Sequence, residues 1–327
     1  GNTVVVKCSE HAPHSEQVLE ALIQSTFEPA YIRVLKGPGE VVVPELMRGL
    51  NFDHVFFTGS PQVGKIIYQL AAEKLLPVTL ELGGKNPCVV EADANLTVAA
   101  KRIAVAKFSN AGQLCVAPDF ILVHASVKEA FVAQLKMQLT KFFCSDAQQS
   151  ASYGRIINER QFNRLLRYLQ DGTIVHGGRS VAADLYIEPT VLFPSSVDTA
   201  VMNDEIFGPI LPIVSFEQKE EALAIIRRHR NPLAAYVFSG SRQRAAEWLV
   251  TMPSGGACIN NAAWQVANGY LPFGGRGNSG IGAYHGKAGF EVFSHLKSVL
   301  RTPTWFDPSI KYPPFTGRLS LFKKFIG

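Results

Sequence analysis

Three side chains in this sequence are of a type and setting that could do covalent chemistry. Cys115 closes the stretch Asn110-Ala111-Gly112-Gln113-Leu114-Cys115, after a predicted helix and shortly before Pro118. A thiol in a loop beside a flexible glycine can be reached by a substrate, and its thiolate is a strong nucleophile. The plainer reading of any lone cysteine is a small core residue, and Cys88, Cys144 and Cys258 read that way. Glu81 ends a predicted strand and runs into Leu82-Gly83-Gly84-Lys85. Ligands bind at the carboxyl ends of strands in a parallel sheet. A carboxylate held there among apolar neighbours has a raised pKa and can act as a general base. The alternative is a solvated acid at a strand end. Glu205 opens Glu205-Ile206-Phe207-Gly208-Pro209, an acid and an aromatic ring ahead of a turn. That pair can grip a flat polar ligand, or it is a turn with a buried Phe.

Other positions suit binding. Ser60-Pro61 lies between a strand and an amphipathic helix, where Ser is a good N-cap and Pro is favoured at the first helical position. Gly59 permits the tight turn. The helix N-terminus then offers free N–H groups to a phosphate, or is simply a capped helix. No Gly-x-Gly-x-x-Gly occurs there, so a dinucleotide would be held in an unusual mode. Lys7 and Glu10 follow the first strand and can hydrogen-bond ribose hydroxyls, or sit solvated on the surface. The Gly-rich run from Leu271 to Gly282 holds Phe273 and reads as a loop approaching the active site or as a flexible connection. The histidines have no metal-site spacing, so no metal is expected.

These residues need a scaffold, and the composition provides one. The 327 residues are 47% hydrophobic and 18% charged, which fits a globular protein with a large core and argues against disorder. The net charge of +5 is not gathered in one basic run, so nucleic acid is not expected as a partner. Five widely spaced cysteines without Cys-x-x-Cys suit a reducing compartment, and a cytoplasmic location is expected. Strands are predicted over Thr3–Lys7, Tyr31–Leu35, His54–Thr58 and Val78–Leu82. Val18, Leu19, Leu22 and Ile23 share one face of a helix between the first pair. Val63, Ile66, Ile67, Leu70 and Ala71 do so between the second. Apolar strands joined by crossover helices predict an α/β fold with a parallel, doubly covered sheet. A second region follows Gly83-Gly84, with a strand near Cys88–Glu91, a helix over Leu96–Phe108, a strand over Phe120–His124 and a helix over Val127–Phe142. After Phe293 come a strand-like stretch, Leu296–Leu300, a Pro-rich segment and a basic amphipathic end, Leu319–Ile326. That end is far too short to span a bilayer. It can pack on protein or make a weak membrane-surface contact. The chain opens without Met, directly on a strand, so a further N-terminal segment is expected in the parent protein.

Taken together and in order, the motifs at Gly1–Lys7, Phe57–Ser60, Glu81–Lys85, Asn110–Cys115, Glu205–Pro209 and Pro272–Gly275 resemble the NAD(P)-dependent aldehyde dehydrogenases. Asn86-Pro87-Cys88, Cys115–Asp119, Tyr153–Asn158, Tyr284–Lys287, Phe293–His295 and Tyr312–Pro314 are similar to the class 3 branch, which acts on fatty and aromatic aldehydes. The resemblance implies an NAD(P)-binding Rossmann-type domain over residues 1–82. It implies a catalytic domain over 83–292 and a C-terminal oligomerisation tail over 293–327. It implies oxidation of an aldehyde to an acid through a Cys115 thiohemiacetal and thioester, with Glu81 as general base. Lys7 and Glu10 fall on the adenosine-ribose contacts, Gly59 and Ser60 on the pyrophosphate turn, Glu205 on the nicotinamide-ribose acid and Phe207 on the ring beside the nicotinamide. Glu205 is also a candidate base. NAD is the expected cofactor, with NADP possible, and the full-length protein is expected to be a homodimer. An oxyanion-binding Asn would lie in the upstream segment, so the chain alone is expected to be largely inactive. Cys8 stands where the family usually has Pro, and Asn261, Trp264 and Gln265 depart from the class 3 pattern beside the substrate tunnel. Two rivals are an acyl-transferring semialdehyde dehydrogenase of the same fold and a non-catalytic nucleotide-binding relative.

Overall fold

Short apolar strands and capped helices alternate from the start of the chain, and the computed structural model describes residues 1–326. Strand β1 (Val4–Lys7), helix α1 (Pro13–Thr26) and strand β2 (Ile32–Leu35) make one parallel crossover. Helix α2 (Gly39–Gly49) leads to a second, formed by β3 (Val55–Gly59), α3 (Pro61–Ala72) and β4 (Val78–Leu82). Parallel neighbours cannot be joined by a hairpin, so each pair needs its helix. The Ser60 hydroxyl accepts from the Val63 amide and caps α3, with Pro61 at its first position.

The expected double cover is incomplete. Ile67 of α3 is buried against Leu80 and Leu82, and Ala71 is buried as well. Val18 and Leu22 of α1 and Val63 and Ile66 of α3 are exposed. The apolar stripes are wider than the two- and three-stranded sheets beneath them, so part of each stripe finds no partner among the described residues.

The second region is built on a seven-stranded sheet. Its elements are β5 (Pro87–Val90), α4 (Leu96–Phe108), β6 (Phe120–His124), α5 (Lys128–Phe143), α6 (Glu159–Tyr168), β7 (Gly172–His176), β8 (Ser180–Val181), β9 (Tyr186–Ile187) and β10 (Thr190–Pro194). There follow α7 (Ala200–Asn203), β11 (Ile210–Phe216), α8 (Lys219–Arg227), β12 (Ala234–Phe238), α9 (Arg242–Thr251), β13 (Gly256–Ile259), β14 (Gly280–Ile281) and α10 (Gly286–Val292). The strand order is β13-β12-β5-β6-β11-β10-β7, parallel except for β7. Central strands β5, β6 and β12 are buried on both faces, which is why they read as continuous apolar runs. The alanines of α4 (Ala99, Ala100, Ala104, Ala106) are buried in the same core as Phe131, Leu135 and Leu139 of α5.

Strand β14 returns to the first region and pairs antiparallel with β4, setting Gly280 opposite Glu81 and Ile281 opposite Leu80. The Gly-rich run is therefore a loop that closes on the strand carrying Glu81. A Cβ on Gly280 would meet the Leu80 carbonyl at 2.4 Å, so only glycine fits there.

Residues Gly1–Phe293 form one unit and residues from Ser294 onward another. In the second unit, the stretch Leu296–Leu300 is not a strand. It has no pairing partner among the described residues, and Leu296, Val299 and Leu300 are exposed. The terminal helix α11 (Leu319–Ile326) is present. The side chains of Leu321, Phe325 and Ile326, which the apolar face required, lie outside the described residues. Among the described residues, no helix is long and apolar enough to cross a membrane.

Candidate active site

The loop that leads to Cys115 is held in an uncommon backbone shape. Helix α4 ends at Phe108, and Asn110, Ala111 and Gly112 then take positive φ in succession. Such strain in ordinary residues concentrates at functional sites. Gln113 secures the turn: its amide donates to the Arg155 carbonyl at 2.9 Å and its oxygen accepts from the Ile157 amide at 2.9 Å. Asn86 anchors the other side. Its Nδ2 donates to the carbonyls of Cys115 at 2.7 Å and Ala117 at 3.0 Å, and its Oδ1 accepts from the Ala234 amide at 2.9 Å. Replacing Asn86 by Ala would orphan three buried backbone groups. A loss of about 1–3 kcal/mol of stability for each unsatisfied group is the expected scale. Urea unfolding of Asn86→Ala beside the parent chain measures it, and an unchanged midpoint would refute the anchoring.

Cys115 itself is half-buried against Val116, Leu233, Phe273 and Tyr284. Burial pushes its thiol up to about 11, and the negative charges of Glu205 and Glu81 push in the same direction. The resting group is therefore a thiol, and the loop does not by itself activate it.

Glu81 is 3% exposed, in β4 one residue before its end, and neither carboxylate oxygen has a hydrogen-bond partner among the described residues. Burial raises its pKa to about 8. The solvated-acid alternative is thereby excluded. Glu205 stands over Gly83: a Cβ there would lie 1.9 Å from Glu205 Oε2, so the carboxylate occupies the space a side chain would need. Burial, then the charge of Asp119, raises Glu205 to about 7, while the Gly84 amide, Lys85 and Arg164 oppose the rise. The Cys115 loop and the Glu205 turn meet backbone to backbone, since a Cβ on Gly112 would lie 2.2 Å from the Gly208 carbonyl. Phe207 takes φ 46° and keeps its ring 39% exposed. A bulky residue in that region is strained, and the exposed ring excludes the reading as a buried Phe in a turn.

The binding candidates lie at strand ends. Lys7 ends β1 and pairs with Glu10 at 2.5 Å, and Glu10 also accepts from the Gly39 amide at 3.2 Å. The Lys7 ammonium, first, holds the Glu10 carboxyl down at about 2. Gly59 ends β3 and Ser60 caps α3. Thus Glu81, Cys115 and Glu205 form a thiol–acid cluster, whereas Lys7, Glu10, Gly59 and Ser60 sit at the carboxyl ends of β1 and β3.

Several supporting residues escaped the sequence reading. Arg164 donates to the carbonyls of Glu205 at 3.1 Å and Ile206 at 2.7 Å, and Tyr168 donates to Asp204 at 3.0 Å. Lys85 is buried with Asp119. Lys107 is fully buried in α4, and a cation on the face that also carries Ile103, Ala104 and Ala100 was the available signal. Among the other cysteines, Cys88 is buried and Cys258 half-buried, but Cys144 is exposed rather than in the core. It follows α5 with φ 65°, where the helix has ended.

The family model for the aldehyde dehydrogenase family matches residues 1–299. The chain is 44% identical over 327 residues to the 4,4'-diaponeurosporen-aldehyde dehydrogenase of Staphylococcus aureus, covering 99% of this chain and 71% of that protein. It is 42% identical over 322 residues to the dimeric NADP-preferring aldehyde dehydrogenase of Canis lupus familiaris, covering 98% of this chain and 71% of the relative. The solved substrate-bound state of Staphylococcus aureus AldH superposes with a TM-score of 0.94 at 44% identity, over 100% of this chain and 71% of the other. The chain therefore belongs to the aldehyde dehydrogenase family. Its class of activity is the oxidation of aldehydes to carboxylic acids.

Proposed function

We propose that Cys115 is the nucleophile, that Glu81 is the general base, and that medium- or long-chain aliphatic or aromatic aldehydes are the substrates. The observation that carries this reading is the clustering of one thiol with two buried carboxyls of raised proton affinity. Paired acids with shifted pKa values in a cleft are the mark of acid–base chemistry. Apolar walls support the substrate class. Val116, Leu233, Phe273 and Tyr284 surround Cys115, and a cleft of about 180 Å³ lined by Gln265, Leu271 and Phe273 adjoins them.

The chain's own residues act as follows. A carboxylate of the cluster takes the Cys115 proton as Sγ bonds to the aldehyde carbon, giving a thiohemiacetal. The Cys115 amide donates to the resulting oxyanion. A bound nicotinamide dinucleotide supplies the hydride acceptor. Glu81 then removes a proton from water, the water oxygen bonds to the acyl carbon, and the Cys115 sulfur leaves as the acid is released.

The residues present fit such a dinucleotide. Ser60 opens a helix whose N-terminus suits a pyrophosphate, and Glu10 stays ionised and able to accept from ribose hydroxyls. Glu205 would hold the second ribose and the exposed Phe207 ring would lie beside the nicotinamide. NAD is the preferred form, because an ionised Glu10 repels a 2′-phosphate; the adjacent Lys7 leaves NADP possible. A homodimer belongs to the same reading. The test is reduction of NAD and NADP by the full-length protein with a series of aliphatic and aromatic aldehydes, followed by absorbance. Turnover that rises with aldehyde chain length and favours NAD supports it. Acyl transfer to an acceptor in place of water points to a semialdehyde dehydrogenase mechanism instead.

A further inference from the structure

Asp119 lies four residues after Cys115, and its amide donates to the Asn86 carbonyl at 2.8 Å. The side chain is 3% exposed, and its carboxylate accepts from the Ile206 amide at 3.1 and 3.3 Å. It pairs with Lys85 at 2.5 Å, and Lys107 Nζ faces it at 3.9 Å. Lys85 also donates to the carbonyls of Val201 and Asp204, each at 2.6 Å. Lys107 Nζ makes no hydrogen bond among the described residues. Three charges are thus buried together, an arrangement that apolar side chains often match or exceed in stability. Stability is a poor reason for keeping it.

Its geometry points elsewhere. The Glu205–Phe207 turn is gripped from both sides, its N–H by Asp119 and its carbonyls by Arg164. We propose that Asp119, held by Lys85 and Lys107, is a positioning residue that fixes Glu205 over Gly83. The inference rests on the reading of Glu205 as part of the active site. The charged and titratable groups facing Glu205 are Asp119, Lys85, Lys107, Arg164 and Cys115. Asp119 is the anion that favours the protonated acid, while Lys85 and Arg164 favour the carboxylate. Removing the Asp119 charge therefore lowers the Glu205 midpoint.

The experiment is infrared difference titration of Glu205 in the 327-residue chain, assigned by subtraction of Glu205→Gln. It is run on wild type, Asp119→Asn, Lys107→Met and the charge-balanced Asp119→Asn/Lys107→Met, each matched to wild type by circular dichroism. The double variant removes one charge of each sign, so it remains informative if the single variant fails to fold. The expected result in folded variants is an acid dissociation constant of Glu205 raised about threefold or more, in Asp119→Asn against wild type and in the double variant against Lys107→Met alone, since the Lys107 cation itself favours the Glu205 carboxylate. A purely structural Asp119 leaves that constant unchanged, and an unchanged constant overturns the proposal. NAD binding, read by fluorescence titration, separates the two readings. Glu205→Gln that binds NAD as wild type does removes Glu205 from the ribose site, while the infrared titration still decides the role of Asp119.

Discussion

Cys115→Ala abolishes aldehyde oxidation, with an expected fall on the order of 10⁴–10⁶-fold in kcat, the scale on which removing a nucleophile acts. Cys144→Ala keeps most of the activity, because Cys144 is exposed at the C-terminal end of α5. The contrast between the two thiols extends to chemistry without substrate. Burial and two nearby carboxylates hold the Cys115 thiol up at about 11. At pH 7 very little of it is thiolate, so iodoacetamide reacts with Cys144 first and with Cys115 slowly. Raising the pH to 9 or 10 speeds alkylation of Cys115 by about tenfold per unit, as its thiolate fraction grows below its pKa. Peptide mapping of the alkylated chain follows both sites. Wild-type turnover in Cys115→Ala would end the nucleophilic assignment. Rapid alkylation of Cys115 at neutral pH would leave the assignment standing but remove the argument that the resting group is a thiol.

The candidate site residues stand out in the sequence because each ends a local pattern. Glu81 finishes an apolar strand and is followed by two glycines; Cys115 finishes a helix and a small-residue turn; Ser60-Pro61 spells a helix start. The β–α alternation gave the parallel α/β class for the same reason, since its period is local. What escaped were contacts between distant segments. Nothing in the sequence around Asp119 says that it meets the Ile206 amide, 87 positions further on. The return of β14 to Glu81 is likewise a long-range pairing, and the Gly-rich run left two readings open until the register was known. The stretch Leu296–Leu300 misled in the opposite direction. Its apolar composition suits a strand, but a strand needs a neighbour to satisfy its backbone, and none is present among the described residues. Cys144 failed as a core residue because burial depends on where α5 ends.

Glu81→Gln and Glu205→Gln should fail at different steps, and their kinetics assign the base. Glu81 has no hydrogen-bond partner among the described residues and is raised by burial to about 8; Glu205 is raised to about 7 by burial and by Asp119. Both carboxyls are protonated in mildly acidic solution, and a protonated acid cannot accept a proton from water. Deacylation therefore gains about tenfold for each pH unit below the base's midpoint and levels off above it. If Glu81 is the base, the plateau begins near pH 8; if Glu205 is, it begins near pH 7. In single-turnover experiments Glu81→Gln keeps the burst of NADH while steady-state turnover falls by about 10²–10⁴-fold, the usual contribution of a general base. Glu205→Gln instead slows the burst and weakens NAD binding, as loss of a ribose contact requires. The acidic limb of the profile vanishes in whichever variant has lost the base. If both variants keep the burst, the plateau and the wild-type turnover, neither carboxyl activates water, and the hydrolytic half of the mechanism must be assigned to another group.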